Sequence, residues 1–145
     1  MYRELIKKLT ASNQWANVQE PCPEEEIQRA EKYVGFSFPE ELKALLRETN
    51  GDHWFLLSAE RIISHVKENR EIFPEYLAPD EFEEKVNRFV FFATNGCGDY
   101  YCYRVLKNGE TDASVIYIWE HELFKIREVA KSLAELITKY YNDEV

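Results

Sequence analysis

Residues able to do proton or metal chemistry fall into two short runs. Cys97 and Asp99 lie in Asn95-Gly96-Cys97-Gly98-Asp99-Tyr100-Tyr101-Cys102-Tyr103, and Glu120, His121 and Glu122 follow Ile118-Trp119. A thiol nucleophile at Cys97 would need a base or a positive field to lower its pKa. Its charged sequence neighbour is Asp99, which acts in the opposite direction, and no oxyanion donor is evident. Glu120-His121-Glu122 groups oxygen and nitrogen donors, but adjacent strand residues face opposite sides, so only the two glutamates share a face. His121 therefore reads as a structural or surface residue rather than a metal ligand. Asp99 and Glu120 would form a carboxylate pair of the glycosidase kind if their strands are neighbours, yet no other sugar-binding feature accompanies them. Gly96 and Gly98 suit a tight reversal, with Asp99 bonding local amides. The alternative is a backbone nest that clamps a ligand, although the Lys or Ser/Thr of a phosphate loop is missing.

The bulk properties narrow the field. A chain of 145 residues with 45% hydrophobic and 14% aromatic content predicts one folded domain, residues 1–145. Three cysteines, Cys22, Cys97 and Cys102, are an odd number without CxxC spacing, as expected for reduced thiols. No apolar run approaches the roughly 18–20 residues of a membrane helix, and the amphipathic start lacks a signal-peptide core. These features predict a soluble cytoplasmic protein that does not engage the membrane. A formal charge of −9 argues against a nucleic-acid partner; it fits a protein kept soluble by repulsion, the commoner case, and also one with a basic partner.

The elements that must position the two runs follow from periodicity and punctuation. Tyr2, Leu5, Ile6 and Leu9 recur at helical spacing, and a polar loop with Trp15 follows. Pro23-Glu24-Glu25-Glu26 and Pro39-Glu40-Glu41 both read as helix starts, with proline in the first turn and acids at the positive end of the dipole. Gly35 stops the first of these helices and Asn50-Gly51 closes the second. His53 to Leu57 reads as a short first strand, and Ser58 as the cap of a helix carrying Ile62, Ile63 and Val66. Glu71 to Lys85, with Pro74, Pro79 and six acids, reads as a surface loop with a short helical turn. Phe89 to Thr94 and Tyr100 to Leu106 predict a hairpin, Val115 to Trp119 a third strand, and Leu123 to Ile126 a brief fourth. Apolar residues from Val129 to Tyr141 predict a closing helix. The order predicts an α+β fold, a central antiparallel meander flanked by N-terminal helices and a C-terminal helix.

The order of these pieces resembles the SUKH superfamily of Smi/Knr-type domains from about Trp15 to Tyr141. The resemblance rests on Pro23-Glu24-Glu25-Glu26-Ile27, Gly35-Phe36-Ser37-Phe38-Pro39, Leu42, Leu45, Leu46 and Asn50-Gly51. It continues through Asn95-Gly96-Cys97-Gly98-Asp99-Tyr100-Tyr101, Ile118-Trp119-Glu120-His121-Glu122 and Val129-Ala130-Lys131-Ser132-Leu133. It implies an α+β domain and a role as an immunity protein that binds and neutralises a toxin, often a nuclease. The fungal relatives imply an alternative, a regulatory scaffold or adaptor with an endogenous partner. A small-ligand module built on the glycine hairpin is a third reading. The resemblance carries over no catalytic residue and no cofactor.

Alternation along the strands predicts that about half of Tyr100, Tyr101, Tyr103, Tyr117 and Trp119 lie on a partly exposed face. An exposed ring-bearing face among acids has the makeup of a protein-binding surface. The expected contact residues are Asp80, Glu81, Asp99, Tyr100, Tyr101, Glu120 and His121.

Overall fold

A computed structural model describes residues 1–12 and 18–145, so Trp15 lies outside the described residues. Among the described residues, six α-helices and a four-stranded antiparallel sheet of order β1-β2-β3-β4 make up the α+β architecture. Helix α1 spans Tyr2–Leu9, α2 Glu24–Val34, α3 Glu40–Glu48 and α4 Ala59–Ile72. Pro23 and Pro39 sit at the starts of α2 and α3, and Gly35 ends α2 in the left-handed region at φ 89°. Ser58 caps α4 by accepting the Arg61 amide at 3.2 Å.

The meander comprises β1 (Phe89–Thr94), β2 (Tyr100–Arg104), β3 (Ile116–Glu120) and β4 (Lys125–Ala130), closed by α6 (Leu133–Tyr141). The fourth strand is longer than its sequence suggests. Val129 and Ala130 belong to it rather than to the helix, because Ser132 caps α6 by accepting the Glu135 amide at 3.2 Å. The expected strand from His53 to Leu57 is reduced to a single bridge between Leu56 and Ala93. Asp52 is the cause. Its Oδ1 accepts the amides of Trp54, Phe55 and Leu56 at 2.8–2.9 Å and curls the segment away from an extended path.

Side chains of the sheet divide by strand period into two faces. Val90, Phe92, Tyr101, Tyr103, Ile116 and Ile118 meet Ile6, Ile27, Leu42, Leu45, Leu46, Ile62 and Leu136 in the main core. Phe89, Phe91, Tyr100, Cys102 and Trp119 form a second core with Val86. Each fully buried aliphatic contributes about 1.5–3 kcal/mol of transfer free energy.

The segment that closes the second core is the one expected to be a surface loop. After α4 it continues as a 3-10 turn (Phe73–Glu75), α5 (Pro79–Phe82) and a π-helical turn (Glu83–Asn87). We call residues 73–87 the strap. Its Phe73, Leu77, Phe82 and Val86 pack inward. Trp119 Nε1 donates to the Lys85 carbonyl at 2.8 Å and ties the strap to the sheet. With that cover in place, the expected open face of rings does not exist. Tyr100, Tyr101, Tyr103 and Trp119 are all buried, and Tyr117 is half-buried.

Candidate functional site

The β1–β2 turn is built by Asn95. Its Oδ1 accepts the amides of Cys97 at 2.9 Å and Asp99 at 3.3 Å, while Nδ2 donates to Asp99 Oδ2 at 3.1 Å. Gly96 and Gly98 take φ of 80° and 96°, which few other residues tolerate. Gly98 has a second reason to be glycine: a Cβ there would lie 3.0 Å from the imidazole of His121. The turn is therefore shaped to lay backbone against that ring.

Register brings the second run to the same place. Tyr100 pairs with Trp119 across β2 and β3; continued past the strands, this register sets Asp99 opposite Glu120 and Gly98 opposite His121, so Asp99 and His121 are diagonal neighbours. Asp99 Oδ1 lies 2.7 Å from His121 Nδ1 and accepts the His121 amide at 3.1 Å. Burial pushes the Asp99 carboxyl upward. The bonds from the His121 ring and amide and from Asn95 outweigh it and hold the group below the usual aspartate range.

Cys97, Asp99, Glu120, His121, Glu122 and Leu123 line an open cleft of about 250 Å³. Glu120 faces Lys125 across β3 and β4 and approaches Arg127 at 3.9 Å. A carboxylate that fixes one ring nitrogen of a histidine leaves the other able to accept or donate a proton. Cys97 is exposed, and its sulfur makes no hydrogen bond among the described residues. The other two thiols are buried; burial raises Cys22 to about 11 and Cys102 higher still. Among the described residues no group of three or more His, Cys, Asp or Glu could hold a metal ion. No helix among them is long and apolar enough to cross a membrane.

The seven expected contact residues thus separate into three groups. Asp99, Glu120 and His121 meet at the cleft. Asp80 and Glu81 lie exposed on α5 and line no wall of it. Asp80 has no ion-pair partner among the described residues, whereas Glu81 accepts from the Ala78 amide at 3.4 Å and from Lys85 Nζ at 3.3 Å, a helix-start and pairing role.

Tyr100 and Tyr101 are corrected outright as contacts, because both are buried. The Tyr100 hydroxyl reaches His65 Nδ1 at 2.8 Å, and its ring stacks on Phe91. Tyr101 packs edge-on against Phe55 on the opposite face. Sequence reasoning passed over Ile72, Tyr76 and Leu123, whose side chains stand 48%, 74% and 62% exposed. Their signal was an apolar residue inside an otherwise acidic, irregular stretch.

No curated protein matches this chain. The model of the SMI1 / KNR4 family (SUKH-1) matches residues 21–139, a span that takes in both runs of the cleft, the strap and the whole sheet. The chain belongs to the SMI1 / KNR4 family (SUKH-1).

Proposed function

We propose that this chain is a non-enzymatic binding domain that neutralises a protein toxin by covering its active site. The observation that supports the reading best is the run of exposed acid from the end of α4 through the strap, close in sequence and poor in base. Glu71 at the end of α4, Glu75, Asp80 and Glu84 along the strap and Glu122 at the cleft make no ion pair among the described residues. Crowded like charges repel one another and are compensated when a basic surface arrives.

In this mechanism a nuclease offers such a surface, because its own cleft must hold phosphate. Docking would exclude substrate without any bond being made or broken. Charge complementarity would accelerate encounter to as much as about 10⁸–10⁹ M⁻¹s⁻¹ at low salt. The test is co-expression with the product of the neighbouring gene in a host that this product kills. Protection of the host cell is expected, and it should be lost when Asp80, Glu120 and Glu122 are replaced together by lysine. Protection that survives this triple replacement would remove the acidic face from the mechanism. Stable capture of an endogenous protein with no protection would instead make the domain an adaptor.

A further inference from the structure

We infer that the partner-facing anchor of this domain is an apolar ridge of Ile72, Tyr76 and Leu123, and that it seats on a basic protein surface. The inference rests on the proposed binding role and names the surface that performs it. Ile72 ends α4 and Tyr76 follows the 3-10 turn, and both side chains are exposed on either side of the inward Phe73. Phe73, between them, turns inward onto Trp119 and Phe124, with ring centroids 5.9 and 5.7 Å apart. Leu123 precedes Phe124, whose ring meets Phe73 just after α4, and its own side chain lines the rim of the cleft. Inward positions of both segments are filled by one another, which leaves these three outward side chains, 48%, 74% and 62% exposed, with nothing of their own chain to cover. Adjacent exposed apolar groups of this size mark an interaction surface more than scattered ones do.

The charges on either side select the occupant. Glu71 at the end of α4, Glu75, Asp80 and Glu84 on the strap and Glu122 at the cleft make no ion pair among the described residues, whereas Lys85, Arg88 and Arg127 on the same segments are matched by Glu81, Glu83 and Glu120. A second copy of this chain would bring like charges face to face across a two-fold contact. A basic protein with a concavity for the Tyr76 ring meets both features, and tyrosine is among the residues that dominate binding energy at interface centres.

The test measures affinity by calorimetry for the purified neighbouring-gene product. Tyr76→Ala is expected to weaken binding about 30-fold or more, the scale of a hot-spot residue. Ile72→Ala and Leu123→Ala should weaken it by less. Leu106→Ala, which removes an exposed side chain on the distant β2–β3 turn, should stay within about twofold. Binding by Tyr76→Ala within twofold of the parent overturns the ridge, and if cell protection by the parent persists, the proposed function stands without it. Absence of any binding by the parent removes both together. Self-association by sedimentation that disappears in Tyr76→Ala would replace the basic partner by a second copy and so overturn the assignment.

Discussion

The two faces of the sheet are closed by different kinds of cover. One lies under full helices, and its core is rich in Ile, Leu and Val drawn from α1, α2, α3, α4 and α6. The other lies under fifteen residues of strap and, at Tyr100, under His65 of α4, and its contacts are rings: Phe91 on Tyr100 at 4.4 Å, Phe91 on Trp119 at 5.2 Å, Phe73 on Trp119 at 5.9 Å. Helices hold their own backbone bonds over several turns, whereas 3-10 and π turns are short and less well bonded. Large rigid rings suit such a cover, since each provides much contact area with few rotatable bonds. The division suggests a rigid frame on one side and a separately stabilised, partner-facing cover on the other.

The largest expected effect tests that division directly. Leu46→Ala, in the fully buried main core, should reduce unfolding free energy by about 2–5 kcal/mol. Phe82→Ala, which removes a half-buried ring of the strap, should reduce it by less and leave the main transition cooperative in urea. Native-state hydrogen exchange should then show strap amides opening well below the global free energy. Equal protection of residues 73–87 and of α3 would merge the two regions into one.

Glycine substitutions sharpen the same contrast. Gly51 sits at φ 79°, and a Cβ there would fall 2.7 Å from the Leu56 carbonyl and 2.8 Å from the Ser58 amide, both backbone. Gly51→Ala should therefore destabilise by about 3 kcal/mol. Gly96, at φ 80° with nothing within 4 Å of a Cβ, carries only the backbone penalty, and Gly96→Ala should cost about 1 kcal/mol. Thermal melts of the two variants check this. Equal losses would mean that the frame around Leu56 yields as readily as an open turn.

How far the sequence foretold this arrangement depends on the type of cover. Helices α2 and α3 were legible because Pro23 and Pro39 start them and Gly35 stops one, all local signals. The meander was legible from turn glycines and β-branched or aromatic runs. The strap was not. Phe73, Leu77, Phe82 and Val86 face inward at spacings of four, five and four, a pattern that matches no single helical period once 3-10 and π turns are mixed. Missing the strap made Tyr100 and Trp119 look available to a partner. The Asp99–His121 pair was half legible: both residues were singled out, but their contact depends on the register of β2 against β3, which no residue in either run announces.

Trp119 measures how firmly the cover is attached. Trp119→Phe keeps most of the ring volume but removes the bond from Nε1 to the Lys85 carbonyl. A loss of about 1 kcal/mol is expected, seen chiefly as faster exchange of strap amides while those of α3 are unchanged.

The smallest effect concerns two aspartates whose protons respond in opposite directions. Asp99 has its folded-state pKa lowered by its bonds to His121 and Asn95, against the upward push of burial. As pH falls below about 4 the unfolded chain takes up this proton first. Its stabilisation is therefore present above that point and is lost as pH falls through the lowered folded value. Asp52 is the reverse. Burial raises its pKa despite three backbone amides and the Tyr141 hydroxyl, which donates to its Oδ2. The folded chain holds this proton at a pH where the unfolded chain has released it, so stability falls as pH rises from about 4 through the raised value. Asp99→Asn should flatten the acid side of the stability curve and Asp52→Asn the side just above it, each by about 1 kcal/mol or less, by urea titration across pH 2.5–7. If Asp52→Asn flattens the acid limb instead, the buried frame and not the cleft sets the acid sensitivity of the fold, and the contrast between the two regions loses its electrostatic part.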